Sequence, residues 1–430
     1  MGTGRRLAVL LLAFGLIGLP AAAMRIGCVG ESCRSTAVAA TPAPFCSLPA
    51  DLRALISAGT YPEGGRSPDA MAVASSTPVV TDVGGGVDVP WPSVAGATRS
   101  EMAAPLWFVG RGIRAGKLPA DLTLDQVAPT LEPLLGLQRA HPDVRSGTAI
   151  PDVVEPGATS PLVVLIVWKG IGEGDLASRT VHGVMQAPYL QGVRMAAGSA
   201  TAGSLPLDPT AVEATIGTGG LPSQHGITGT KVRNGPGHVV PAFGPHSSQP
   251  VIATLGDDLD RATVGRSRIG LIASSVGDTA LTGDDWYDDG PIVDRAVWLT
   301  KGSTVDVSSF LASGWGADDV PDLLAIGLSG SSADDERAFG EVDAQVLRAV
   351  PDATLVVAGT GSLAVKHAVT AVAPAGTDTL VAGGAFVDQG STAVPTHQVV
   401  DALHAQTAPD GSPLYLDAFA SYAVQFGRYC

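Results

Sequence analysis

The sequence lacks any long basic run, and its formal net charge is −15. Nucleic acid and anionic membrane surfaces would both repel such a chain, so nucleic acid is not expected as a partner. Charge of either sign is sparse, at 16% of residues. Cysteine is scarcer: Cys28, Cys33, Cys46 and Cys430 all stand near the chain ends, and none falls in the apolar interior segments. No histidine lies beside them at ligand spacing, which disfavours a zinc cluster of the Cys/His kind. There is no fixed-period internal repeat. There is also no Gly-x-Ser-x-Gly elbow from which a Ser-His-Asp hydrolase could be built, since Gly330 and Ser331 lack that context.

What is present describes an acidic, loop-rich globular chain. Hydrophobic residues reach 45%, ample for a sizeable core, while 54 Gly and 32 Pro imply many turns. A length of 430 residues fits one large or two moderate domains. At the amino end, Arg5 and Arg6 precede the apolar run "LAVLLLAFGLIGLP" and the small residues "AAAM". That order is expected of an export signal over residues 1–23, cleaved after Ala23, in an extracellular or cell-envelope protein. The run is short for a membrane span; a membrane partner would follow only from an uncleaved anchor. Cys28 in "RIGC" raises lipid modification, which Arg25 fits badly. An even cysteine count in an exported chain favours disulfides. Of the three possible pairings, Cys28–Cys33 with Cys46–Cys430 is preferred, fastening the last residue to the start of the folded region.

Residues 24–44 read as a Cys-containing linker that ends in "STAVAATPAP". From 45 to 156 a first segment holds expected strands at "TPVVTDV" and "APLWFVG" and an expected helix at "LTLDQVAPTLEPLLGLQ". From 157 to 430 the main core begins with "LVVLIVW" (Leu162–Trp168), apolar on both faces as in a central parallel strand. "SRIGLIASS", "PDLLAIGLS" and "ATLVVAGTG" repeat that character. Between the last two, "ADDERAFGEVDAQVLRAV" has the spacing of an amphipathic helix. Alternating strands and helices predict an α/β fold, a mostly parallel sheet with helices on both faces. Ligands of such sheets gather where strand ends meet loops.

One stretch stands apart: Ala214–Thr230 reads "ATIGTGGLPSQHGITGT". Upstream, Asp208 is an N-cap candidate and Pro209 suits the first helical position, with helix expected through Ala211–Ile216. Gly217, Gly219 and Gly220 are expected to end it. A helix start at a strand end is a natural anion site.

"TIGTGGLPSQHGITGT" resembles the segment after the nucleophile in the alkaline phosphatase superfamily, particularly its type I phosphodiesterase and nucleotide pyrophosphatase branch. "PLVVLIVWKG" resembles that family's first strand, and the region from "PDLLAIGLSGSS" to "LVVAGTG" its later strand–helix–strand unit. "PLWFVGRGIRAG" followed by "LTLDQVAPTLEPLLGL" resembles its closing segment, where a helix carries Ala-Pro-Thr. That closing segment stands before the first strand here, which implies a circularly permuted or rearranged order.

The resemblance implies hydrolysis of phosphoric esters by two metal ions, usually zinc, with a Thr or Ser nucleophile between them. Two cations about 4 Å apart need convergent anionic and imidazole ligands. Position by position these are missing. The Asp ending the first strand corresponds to Lys169, whose ammonium would repel a divalent cation. An Asp-x-x-x-His pair falls on Ser332 and Glu336, and an Asp-His pair on Thr360 and Gly361. "VVTDVGGG" keeps Asp82 but sets Val83 where His belongs. The nucleophile position falls on Asp208, Pro209 or Thr210, and Thr210 is the hydroxyl of the three, with Ser204 near. Lys169 is expected to pair with Asp208 in place of the lost metals.

The eight histidines (141, 182, 225, 238, 246, 367, 397 and 404) form no tight ligand pair. His225, next to Gly226, is expected to order the glycine turn through hydrogen bonds rather than to act in catalysis. "GDDWYDDG" (Gly283–Gly290) could bind calcium, but its spacing is not that of an EF-hand loop, and a solvated acidic loop is the simpler reading. Gly359 and Gly361 begin a dinucleotide-binding pattern without its third glycine. The expected function is an exported phosphatase-like fold that has lost metal-dependent catalysis, needs no cofactor, and binds an unidentified extracytoplasmic protein or small molecule. The alternative is a metal-dependent phosphoric-ester hydrolase, holding zinc or another divalent metal in a non-standard site.

Overall fold

The computed structural model describes residues 44–62, 65–74, 79–80, 102–175, 194–234, 237–243, 247, 249–288, 290–300, 305–328, 342–362, 369–381, 383–390 and 394–426. The expected export signal, most of the linker, Cys28, Cys33, Cys430, Asp82, Val83, Gly330, Ser331, Ser332 and Glu336 lie outside these residues. The cysteine pairing therefore falls outside them too. Residues 43–430 make one compact unit.

The unit is α/β, as the strand and helix alternation predicts. Among the described residues its large sheet has nine strands: β3 (Ala103–Gly110), β4 (Gly116–Lys117), β5 (Leu122–Thr123), β6 (Leu162–Trp168), β7 (Met195–Thr201), β10 (Ile269–Ala273), β11 (Arg295–Trp298), β12 (Asp322–Leu328) and β13 (Thr354–Gly359). The order is β11-β10-β12-β6-β13-β3-β7-β4, with β5 also on β7. Pairings from β11 through β13 are all parallel. β3 runs against its neighbours, β13 and β7. A second, antiparallel sheet has the order β15-β16-β1-β17, from β1 (Ala70–Ala74), β15 (Thr377–Val381), β16 (Gly384–Val387) and β17 (Tyr415–Ala420). Two small pairs complete the strands, β2 (Val79–Val80) with β14 (Val369–Thr370) and β8 (Lys231–Asn234) with β9 (His238–Pro241).

β6 explains the layering. All seven of its residues are buried, and they divide by parity. Val163, Leu165 and Val167 join a core cluster with Val212, Ile216, Leu255 and Leu259 from the helices Pro209–Thr218 and Leu255–Thr263. Leu162, Val164, Ile166 and Trp168 join another on the opposite face, with Phe310, Val342 and Val346. A continuous apolar run is what a strand covered on both faces requires. Because side chains alternate, the next odd position, Lys169, belongs to the Pro209–Thr218 side. β12 and β13 are successive in the chain yet flank β6 on either side. The carboxyl end of β6 thus lies between those of two parallel neighbours, where strand ends meet loops, the usual place for a site.

Two local expectations need correction. "LTLDQVAPTLEPLLGLQ" is not one helix: it forms β5, a 3-10 turn Leu124–Gln126 and the short helix Val127–Leu131. Pro129 is tolerated in the first turn, but Pro133 has no N–H with which to continue the ladder. Gly217 does not end its helix, which runs from Pro209 to Thr218 and stops at Gly219, left-handed with φ 77°. Gly217 serves a close approach instead. A Cβ there would stand 2.1 Å from the carbonyl oxygen of Ala280, in the 3-10 helix Val276–Leu281.

Gly217→Ala tests that contact. On an exposed helix the change would add about 1 kcal/mol of stability. Here overpacking against fixed backbone should reverse the sign and cost about 1–3 kcal/mol, read as a lowered midpoint in denaturant unfolding. An unchanged or raised midpoint would show that the two helices separate freely.

Candidate functional site

Lys169 follows β6 directly, its backbone N–H donating to the carbonyl of Leu328 on β12 at 3.0 Å. Its side chain is almost fully buried. The ammonium donates to the Asp278 carboxylate in a short ion pair and to Ser275 Oγ at 2.8 Å, and a Glu213 oxygen lies 3.8 Å away. The direct partners of Lys169 are therefore Asp278 and Glu213, a correction to the expected pairing with Asp208. Asp208 acts elsewhere. Its Oδ1 accepts from the N–H of Thr210 at 2.9 Å and of Ala211 at 3.4 Å, capping the helix that Pro209 begins. It also accepts from Thr230 Oγ1 at 3.0 and 3.1 Å, tying the far end of the glycine stretch to the helix start.

Local sequence places each member. Ser275 and Asp278 bracket the start of the 3-10 helix Val276–Leu281 as a capping box. Asp278 Oδ2 accepts from the N–H groups of Ser274 and Ser275 at 2.6 and 2.9 Å. The Ser274 hydroxyl reaches Oδ2, and the Ser275 hydroxyl Oδ1, each at 3.2 Å. Gly327 on β12 makes room, since a Cβ there would stand 2.3 Å from Asp278 Cγ. Glu213 sits mid-helix among Ala, Val and Thr, fully buried.

The electrostatics follow from burial. Desolvation pushes the Asp278 pKa up, but the Lys169 charge and the hydrogen bonds from Lys169 and the Ser275 N–H outweigh it and hold the group below its ordinary value. Glu213 moves the other way. Burial first, then the Asp278 charge, raise its pKa well above the usual range against the pull of Lys169. Neither Glu213 oxygen has a partner in good hydrogen-bond geometry, so it faces Asp278 without a well-formed bond. Burial and the Asp278 charge thus favour the neutral form of Glu213 beside the Lys169–Asp278 ion pair.

This arrangement does not fit a divalent cation. Asp278, the ionised carboxylate, accepts from an ammonium, two hydroxyls and two backbone N–H groups, and a fixed positive charge stands beside it. Among the described residues no group of three or more His, Cys, Asp or Glu side chains could hold a metal ion.

The remaining candidates lie around this cluster. Thr360, at the end of β13, accepts from the N–H of Gly170 at 2.8 Å, and its own N–H donates to the Trp168 carbonyl at 3.3 Å. It closes the turn after Lys169. Thr210 is buried, its hydroxyl 3.4 Å from Thr230 Oγ1. Gly217 and Gly219 belong to the helix and its cap, and Gly226, φ 75°, ends the short helix Pro222–His225. His225 is completely buried. Its Nδ1 accepts from the Ile227 N–H at 3.1 Å, so Nε2 carries the proton and donates to Thr215 Oγ1 at 3.1 Å. The Thr215 hydroxyl in turn donates a hydrogen bond to the Ala211 carbonyl at 3.0 Å. The ring pins the glycine turn to the helix.

Asp278, Ser275 and Glu213 were missed in the sequence. Two signals were there: Ser-x-x-Asp in "SSVGD" is a capping-box spacing, and Glu213 is the sole charge in the helix "PTAVEATIGT". A further buried cluster was also missed. Arg139 donates to Asp258 at 2.6 Å, to the Thr218 carbonyl at 2.8 Å and to the Ala253 carbonyl at 2.7 Å. Compared with protein-family models, with curated proteins and with solved structures, the chain matches none.

His225 gives a pH prediction. Burial, then the Arg66 charge, lower its pKa from 6.5 to about 3. The unfolded chain takes up this proton below pH 6.5 and the native chain only near 3, so its contribution to stability falls as pH drops through that window. Wild type should lose up to about 1.4 kcal/mol per pH unit relative to His225→Gln between pH 6 and 4. Parallel stability profiles in urea would contradict a neutral buried ring.

Proposed function

We propose that the chain is an exported member of the alkaline phosphatase superfamily, rearranged in order, that has lost metal-dependent hydrolysis. In this reading it serves as a binding or structural module outside the cytoplasm. The observation that carries the proposal is the Lys169 ammonium, buried at the end of the central strand and bonded to Asp278 and Ser275. A protonated amine there supplies, within the chain, the positive charge that a bound cation would otherwise bring. Its carboxylate partner has no lone pair left for a metal. The groups around it are arranged for stability: Asp208 caps, Thr360 closes a turn, and His225 pins a loop.

A nucleophile would need an exposed hydroxyl with a base beside it. Thr210 is buried, and its hydroxyl meets another threonine. The capped helix start at Thr210 and the retained glycine turn are what the competing reading, a metal-dependent phosphoric-ester hydrolase, has in its favour.

Metal content and turnover separate the two. Purified protein, assayed by elemental analysis and with p-nitrophenyl phosphate and bis-p-nitrophenyl phosphate, should carry no stoichiometric zinc and give no turnover above buffer. Stoichiometric zinc with turnover abolished by Thr210→Ala would establish the hydrolase instead.

A further inference from the structure

The opposite end of the helix Pro209–Thr218 carries a different feature. The helix is roughly 14 Å long at 1.5 Å per residue, with Asp208 at its start and two arginines at its carboxyl end. Arg139 and Arg145 both donate to the Thr218 carbonyl, at 2.8 and 3.0 Å, where the helix dipole favours cations. Beside them opens a cavity of about 330 Å³, bordered by Val144, Val251, Trp286, Tyr287, Arg145 and Arg261. The two aromatics come from "GDDWYDDG". In the structure its aromatics anchor that acidic loop. Trp286 Nε1 donates to the Pro250 carbonyl at 3.2 Å, and the Tyr287 hydroxyl to Asp258 Oδ1 at 2.5 Å.

We propose that this cavity binds a small aromatic carboxylate. Three properties of the walls define that ligand. First, they are apolar and left open to solvent: Val144, Val251 and Trp286 are 41%, 36% and 38% exposed. Trp286 and Tyr287 meet edge to face, 4.7 Å between centroids and 83° between planes, giving a rigid aromatic corner that suits a flat ring.

Second, the charge is of one sign. In a chain of net charge −15, no carboxylate among the described residues lines this cavity, whereas Arg145 and Arg261 do. Asp258, behind it, is taken up by Tyr287, by Arg139 at 2.6 Å and by Arg145 at 3.3 Å. Arg145 spends its other donors on the carbonyls of Thr218, Ala140, His141 and Ala253. It supplies field rather than a free N–H. Arg261 is exposed, lies 4.1 Å over the Tyr287 ring, and makes no ion pair among the described residues. A guanidinium so placed presents a planar fork suited to a carboxylate.

Third, the walls are fixed before any ligand arrives, which lowers the entropic cost of binding. Burial, then the hydrogen bond to Asp258, push the Tyr287 pKa up to about 12, so its hydroxyl remains a donor and the ring stays in place. The volume accommodates one ring with a short acidic substituent, at the small end of ligand sites. This inference stands apart from the reading of the Lys169 cluster and shares none of its residues.

Calorimetric titration of the full chain tests it with three probes: benzoate, benzyl alcohol and inorganic phosphate. Benzoate should bind saturably at one site per chain, at least tenfold more tightly than either of the others, each of which offers only half of the chemistry. Arg261→Gln and Trp286→Ala should each weaken benzoate at least tenfold. The proposal is overturned if benzoate shows no saturable binding or phosphate binds as tightly. It is equally overturned if either substitution leaves benzoate affinity within threefold of wild type.

Discussion

The buried ammonium of Lys169 is the constraint around which the large sheet is arranged. An isolated charge at that depth would cost several kcal/mol, and a lysine without a partner would shed its proton instead. The chain supplies Asp278 within a capping box whose two serines also bond the same carboxylate. A glycine at 327 lets the carboxylate lie against β12, and a glycine at 217 lets the helix bearing Glu213 come against the backbone at Ala280. Remove the ion pair and these close approaches no longer serve a purpose. Parallel strands, tight helix contact and a buried ion pair thus meet at one point.

The helix Pro209–Thr218 links the two charged regions of the molecule. Its amino end is capped by Asp208, which Thr230 holds in place, and its carboxyl end is met by Arg139 and Arg145. Each arrangement follows the helix dipole, with the anion at the start and the cations at the end. Between them His225 holds the return loop against Thr215 as a neutral ring. The stretch "ATIGTGGLPSQHGITGT" is therefore a tertiary staple: its glycines provide the cap and the close contact, and its histidine and last threonine provide the bonds.

The strands were legible because burial on both faces leaves an apolar run with sharp ends. "LVVLIVW" coincides with β6, and the runs at β10, β12 and β13 are placed equally well. The cap at Asp208 was legible too, since Asp-Pro before an apolar helix is a local signal. Partners across space were not. Lys169 and Asp278 are 109 residues apart, and nothing local in either segment names the other. The family resemblance points to Asp208, which lies in the right region but is committed to backbone amides. The helix expected at residues 122–138 failed for a local reason, because Pro133 outweighs the amphipathic spacing around it.

A double-mutant cycle on Lys169 and Asp278 tests the central claim most directly, using Lys169→Met, Asp278→Asn and both together in equilibrium urea unfolding. If the ion pair organises the site, each single substitution leaves a buried group uncompensated and costs about 3–5 kcal/mol. The double substitution should then cost at least about 2 kcal/mol less than the sum. Additive losses within about 0.5 kcal/mol would mean that the two side chains are independent and that the cluster is not the organising element.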